Sequence, residues 1–158
     1  MGMGRSREAF ETAEGHSHPL CRQLTVFLEN RVGQLLRLTR LFDADETRIL
    51  GISVDAKTDC SIVRLLVDNP DVARERLTNA GFPVAENEIL VVELPPGKRG
   101  ILTVCAALIA GEININYLYP LLAGESRDAC LVIQADDIQR AAEVLHARKF
   151  RVIHESEL

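Results

Sequence analysis

The sequence predicts an α+β protein made of two βαββαβ units in tandem, each with an antiparallel sheet and its two helices on one face. Three observations carry that prediction. From Leu20 onward, period-2 and period-3.6 apolar patterns follow one another as strand, helix, strand, strand, helix, strand, and the order then runs a second time. Two landmarks repeat at nearly one interval: Gly33 to Gly100 and Phe82 to Phe150 are each about 67–68 residues apart, the mark of a duplication. No linker-like segment separates the halves.

The elements justify themselves in order. Leu24, Val26 and Leu28 alternate with Thr25 and Phe27, a strand broken by Asn30-Arg31-Val32-Gly33. Leu35, Leu38, Leu41 and Phe42 then recur at helical spacing, opposite Gln34, Arg37, Arg40 and Asp43. Ile49–Asp55 and Ser61–Val67 are β-rich runs around a turn at residues 56–59. Asn69-Pro70 reads as an N-cap with proline at the first helical position, and Gly81 as the matching stop. Phe82–Val84 leads into the next strand. In the second unit Ile89–Leu94 is a strand, residues 95–100 are the break and Ile101–Ala110 is a helix. Ile113–Tyr119 and Ala129–Ala135 are strands, Asp136-Asp137 open a last helix and Phe150–Ile153 closes the unit. Tyr117 and Tyr119 share the parity of Ile113 and Ile115, so all four are expected on one sheet face. The units are placed at 20–88 and 89–158, with Ile89–Leu94 as the junction. Residues 1–19 have no periodicity and are expected to be a disordered leader. The helix Ile101–Ala110, polar only at Thr103, is expected to be buried on both sides, against the sheet and against another unit or chain.

Composition narrows the function. The chain of 158 residues is 47% hydrophobic and 26% charged, with a formal charge of −5, which argues against a nucleic-acid partner. The third strands lack the aromatics that stack on RNA bases. The most apolar segment is about half the length of a membrane span, and the first residues do not read as a secretory signal. Cys21, Cys60, Cys105 and Cys130 form no C-x-x-C pair and read as buried free thiols in a reduced, cytoplasmic protein. His16 and His18, and the distant His146 and His154, do not make a metal-ligand set, and no nucleophile–base constellation is present. Neither a metal, a cofactor nor a catalytic residue is expected.

What remains is a pair of loops. A strand that breaks at a glycine and opens a helix aims free backbone N–H groups outward at the positive end of that helix, where a carboxylate fits. At these residues the sequence resembles the ACT domain family, small ferredoxin-like βαββαβ modules that bind amino acids and regulate metabolic enzymes. Glu29-Asn30-Arg31-Val32-Gly33 is similar to the family's loop, in which Asp or Asn stands three residues before the glycine; Val32 stands where the family commonly has proline. Gly111-Glu112-Ile113-Asn114-Ile115 resembles the start of the family's second strand, whose asparagine contacts ligand across the domain interface. In the second unit Gly97 holds the place of Asn30. The resemblance covers about Leu20 to Glu155.

The resemblance implies a non-enzymatic sensor with an amino acid held where two units or two chains meet. Backbone amides of Val32, Gly33, Gln34 and Leu35, and of Arg99, Gly100, Ile101 and Leu102, would receive the carboxylate. Asn30 and Asn114 would bond its polar groups, with Arg31 and Lys98 alongside. A homodimer and a separate regulated enzyme or transcription factor are the implied partners. Two alternatives stay open: an acyl-phosphate hydrolase using Arg31 or Arg99 with Asn30, and a ligand-free oligomerisation module. Asn30 could equally serve as a helix cap, and Asn114 as part of an exposed strand face.

Overall fold

The computed structural model describes residues 18–44, 46–122 and 128–158. All but the last two residues of the expected leader, His16 included, lie outside these. The described chain runs β1 (Cys21–Glu29), α1 (Gln34–Arg40), β2 (Ile49–Ala56), β3 (Cys60–Val67), α2 (Pro70–Asn79), β4 (Val84–Glu93), α3 (Gly100–Ala110), β5 (Ile115–Pro120), β6 (Cys130–Ala135) and α4 (Ile138–Ala147), then one 3-10 turn at Glu155–Glu157. The expected order is present as far as α4. No helix among the described residues is long and apolar enough to cross a membrane.

Local chemistry sets the helix ends. The Asn69 side chain accepts the Val72 N–H at 3.3 Å with Pro70 in the first turn, and Asp137 accepts the Arg140 N–H at 3.0 Å. Helix α1 stops at Arg40, and the chain continues to Asp43 in tight turns, with the N–H groups of Leu41, Phe42 and Asp43 each reaching back three residues. Helices α2 and α4 end alike: Phe82 N–H donates to the Leu77 carbonyl, and Phe150 N–H to that of Leu145. The left-handed residue this ending requires is Gly81 (φ 86) in the first unit but Lys149 (φ 64) in the second.

All strands pair antiparallel in one sheet of order β2-β3-β1-β4-β6-β5. β4 serves both units as a single unbroken strand: Val84–Ile89 pairs with β1, and Leu90–Glu93 pairs with β6. Past the start of β1 the vacated side of β4 is taken by the C-terminal segment, where Val152 bridges to Val92 and the N–H groups of Glu93 and Ile153 bond Arg151 and Val91 carbonyls. The strand expected over Phe150–Ile153 is thus reduced to this bridge. Each unit has the same local order, with its fourth segment beside its first. The 88/89 boundary falls inside β4.

The four helices cover the outer face. Leu24, Val26, Leu38, Val63, Leu65 and Leu77 fill the core under α1 and α2, while Leu90, Val92, Val104, Leu108, Ile133 and Leu145 fill the core under α3 and α4. The sheet curls until its edges meet, for the Leu122 N–H after β5 donates to the Leu50 carbonyl of β2 at 2.8 Å. The inner face so enclosed holds Cys21, Leu66, Ile89, Val91, Tyr119, Cys130, Val132 and Ile153.

Tyr117 and Tyr119 therefore do not lie with the isoleucines. Ile113 and Ile115 pack in the outer core, and the tyrosines face inward. The cause is a β-bulge: Ile115 pairs with Ala135 but Tyr117 with Gln134, two steps on β5 against one on β6, which turns every later side chain to the other face. β2 carries the matching irregularity between Ile49 and Gly51. The thiols also divide: Cys21 and Cys130 are buried, Cys105 is half-buried and Cys60 is exposed at the hairpin, a correction to the uniformly buried set expected. Burial, then the nearby Glu155 and Glu157 carboxylates, pushes the Cys21 thiol up to about 12.

Lys149→Gly removes the left-handed strain at the end of α4 and is expected to stabilise the chain by about 1 kcal/mol, read as a rise in urea midpoint at unchanged slope. A lowered midpoint would show that the Lys149 side chain matters more than its backbone.

Candidate functional site

The sequence-predicted residues fall at three stations. β1 and β4 run antiparallel, so the loop after β1 and the loop after β4 leave the sheet at opposite ends. β5 runs parallel to β4 through their common neighbour β6, so Asn114, just before β5, lies at the end away from the Gly97–Gly100 loop. Within one chain the two loops do not join into one site.

In the first loop the polar side chains are committed to neighbours. Asn30 does not cap α1; its Nδ2 donates to the Lys57 carbonyl at 2.7 Å and its Oδ1 accepts from Ser61 Oγ at 3.4 Å, pinning the loop to the β2–β3 hairpin. Arg31 pairs with Glu29 at 2.8 Å. Val32 stands fully in solvent, Gly33 is the N-cap, and Gln34 and Leu35 begin a helix of only seven residues. Arg37 closes the far side, donating to the Ala80 carbonyl at 2.8 Å with its guanidinium 4.6 Å from the Phe82 ring centroid.

The matched glycines hold different positions. Gly33 precedes α1 in the left-handed region (φ 88), whereas Gly100 is the first residue of α3, with Arg99 as its N-cap. The left-handed glycine of the second loop is Gly97 (φ 95). Gly100 is needed for space instead: a Cβ there would lie 2.7 Å from the Pro95 carbonyl oxygen, while one at Gly33 would meet nothing within 4 Å.

The second loop opens onto a groove. A space of about 770 Å³ is lined by Arg99, Leu102, Thr103, Ala106, Ala107, Arg148 and Phe150. It begins at Arg99, the N-cap of α3, whose first N–H groups have no helical partner, and runs along that helix as far as Ala107. Arg99 and Leu102 were expected here; Lys98, Gly100 and Ile101 flank them. Arg148 and Phe150 were not assigned, although the repeat interval that singled out Phe150 was the signal that could have led to both. In the first unit Arg37 lies against Phe82; in the second, Arg99 and Arg148 form no ion pair among the described residues.

Within the chain α3 is buried on one side only. Gly100, Val104, Ala107 and Leu108 pack inward, but Ile101, Leu102 and Ile109 are exposed, Ile109 by 71%. An apolar sequence face is here an outer surface of the chain. Asn114 is also exposed. Its N–H donates to Asp136 Oδ1 at 3.2 Å, and its Nδ2 lies 3.4 Å from Asn116 Oδ1. The first unit's counterpart region, Thr47 and Arg48, lines a second groove of about 660 Å³ with Leu36, Thr39 and Phe42. No cluster of three or more His, Cys, Asp or Glu side chains that could hold a metal ion occurs among the described residues.

The family model for an ACT domain pair matches residues 20–158. The chain belongs to the ACT domain pair family. No curated protein is significantly similar to it. Among solved structures, the protein BT0572 from Bacteroides thetaiotaomicron is 24% identical, with a TM-score of 0.80 over 89% of this chain and 96% of that one. The ligand-free regulatory subunit of aspartate kinase from Thermus thermophilus is 14% identical, with a TM-score of 0.55 over 80% of this chain and 90% of that one. Both likenesses are of fold. Family membership makes the chain a pair of regulatory ligand-binding modules.

Gly100→Ala is expected to cost about 1–3 kcal/mol, because the new methyl meets backbone that the loop cannot easily move. Gly33→Ala is expected to cost only about 1 kcal/mol, the strain of a left-handed alanine. Urea denaturation of the two variants side by side checks the order, and equal costs would refute the difference between the loops.

Proposed function

We propose that the chain is a non-enzymatic sensor that binds an amino acid and regulates a separate enzyme or transcription factor. The observation that carries the proposal is the groove at the head of α3. Its start at the positive end of α3 and two arginines without an ion pair among the described residues, Arg99 and Arg148, suit an α-carboxylate, and Leu102, Ala106 and Phe150 offer an apolar wall for a side chain. Gly100 lets the loop backbone pack close to the helix start, and Lys98 adds a positive charge in the same loop. Of the residues a hydrolase would use on phosphate, Arg31 and Asn30 are taken up by Glu29 and by the hairpin, and Arg99 lies at the opposite end of the sheet from Asn30. The first loop is therefore given the lesser part, contributing backbone groups of Val32, Gly33, Gln34 and Leu35.

The exposed Ile101, Leu102 and Ile109 adjoin this groove, and we assign them to contact with a second copy of the chain. Ligand held beside a homodimer contact would couple occupancy to the geometry of association, with Asn114 of one copy available to a ligand on the other. The cysteines are scattered along the chain with no C-x-x-C pair, which favours a reducing compartment, and we place the protein in the cytoplasm.

A thermal-shift series of the full chain across the amino acids tests the reading. One chemical class is expected to raise Tm by a few degrees at millimolar concentration, and Arg99→Met with Arg148→Met to abolish the rise. Stabilisation by no amino acid, or stabilisation indifferent to both arginines, would sink it.

A further inference from the structure

The enclosed inner face of the sheet carries a polar cluster that has no part in the groove at α3. Register places Gln23 of β1 beside Asn87 of β4, and Thr25 of β1 beside Arg64 of β3. The bulge in β5 brings Tyr117 and Tyr119 over them. Gln23 is completely buried, and its Oε1 accepts the Tyr119 hydroxyl at 2.7 Å. Its Nε2 lies 2.8 Å from the Tyr117 hydroxyl and 3.3 Å from both Thr25 Oγ1 and Asn87 Oδ1. Asn87 Nδ2 also donates to Tyr117, at 3.2 Å, and Thr25 Oγ1 donates to Asn87 Oδ1 at 3.0 Å. These groups satisfy one another.

Arg64 does not share in that satisfaction. The residue is half-buried, with its guanidinium carbon 4.0 Å from the Tyr117 ring centroid, and among the described residues its side chain makes no hydrogen bond and no ion pair. Stacking on a ring occupies the flat face of a guanidinium and leaves its N–H donors, which lie in the plane, directed past the ring edge. A guanidinium stacked on a ring with no acceptor among the described residues has room for an oxyanion in the plane of its fork. The chain supplies none from the described residues, although it has 23 carboxylates against 18 cationic side chains.

The surroundings indicate what else the ligand carries. Ile62 and Phe27 stand opposite each other in the β1–β3 register, on the same face as Arg64 and one step further out. Phe27 is 42% exposed, so the cover given by β5 ends near Tyr117 and an apolar floor continues beyond it. A cation, a pair of amide and hydroxyl groups at Asn87 and Tyr117, and an aromatic floor lie side by side at the open rim of the curl.

We propose that Arg64 is the anion-binding residue of a second small-molecule site on this inner face, one that takes the carboxylate of an organic acid with an apolar body. The carboxylate meets the Arg64 fork beside Asn87 and Tyr117, and the apolar body rests on Phe27 and Ile62. The site touches β1, β3, β4 and β5 at once, so its occupancy bears on how the two halves of the sheet sit together. It does not depend on the groove at α3.

The composition provides a selective probe. The chain has no tryptophan and only two tyrosines, both in this cluster, so its intrinsic emission reports this site and not the loops. The full chain is titrated with cyclohexanecarboxylate, acetate and inorganic phosphate at constant ionic strength, following tyrosine emission. A saturable change is expected with cyclohexanecarboxylate, at least several-fold weaker with acetate. Arg64→Met is expected to weaken the response at least tenfold, Arg64→Lys severalfold, and Arg99→Met not at all. If circular dichroism shows Arg64→Met unfolded, Arg64→Lys carries the comparison. An unsaturable or absent response in the wild type, an undiminished response in the Arg64 variants, or a response to phosphate alone would overturn the proposal. Amino-acid stabilisation lost with Arg99 and Arg148 while this response persists would separate the two sites.

Discussion

The ten residues of β4 are the constraint on which the rest of the molecule depends. Its first six residues close the first unit against β1, and its last four open the second against β6, with residues 151–153 taking the side β1 leaves free. Cutting the chain at residue 88 would divide β4, leaving Val84–Glu88 on the first unit and Ile89–Glu93 on the second with nothing to fix the register of one half on the other. A duplication that began as two units is therefore held as one. Arg22 reinforces the join: it meets Glu155 of the C-terminal turn at 3.1 Å and Asp71 of α2 at 2.8 Å, and the guanidinium holds the Asp71 carboxyl below its ordinary range.

Because one strand serves both units, their helix-free faces are brought against each other as the sheet curls. A purely apolar contact there would tolerate sliding of β5 over β1. The Gln23 amide, fully buried and bonded to both tyrosine hydroxyls, admits one register. Burial, then the proximity of Tyr117, pushes the Tyr119 hydroxyl above its ordinary range, so it remains a donor to Gln23 at any physiological pH. Removing Gln23 would leave the buried Tyr119 hydroxyl without its acceptor at a cost of about 1–3 kcal/mol.

How much of this was legible in the sequence varied with the kind of signal. Apolar periods of 2 and 3.6 report burial directly, and Asn69-Pro70 and Asp137 announce helix starts by their own side-chain chemistry, so elements and topology could be read. A β-bulge leaves no such mark. The side chains from Ile113 to Tyr119 alternate without interruption, yet Tyr117 and Tyr119 end on the opposite face from Ile115 because one residue is looped out. The α3 pattern was also ambiguous in kind, since an apolar face reads alike whether the neighbour is in the same chain or another. Of the site residues, Arg99 and Leu102 came from the loop pattern. Arg148 was missed because it reaches the groove from the end of α4, a tertiary contact that spacing along the chain does not encode.

The two loops show how one backbone plan is put to two uses. Asn30, Arg31 and Arg37 give the first unit the polar groups expected of a binding loop, but Lys57, Glu29 and Ala80 take them, and the result is a braced corner. In the second unit proline and glycine shape the loop, and Arg99 and Arg148 keep their charge unpaired among the described residues. β4 feeds that loop directly and carries Asn87 within the inner cluster. A ligand at either place must act on the same strand, whose pairing with β1 and β6 is what holds the halves in register. Coupling between the two places then needs no extended pathway, only two pairings of β4 that differ in energy and a ligand that prefers one of them.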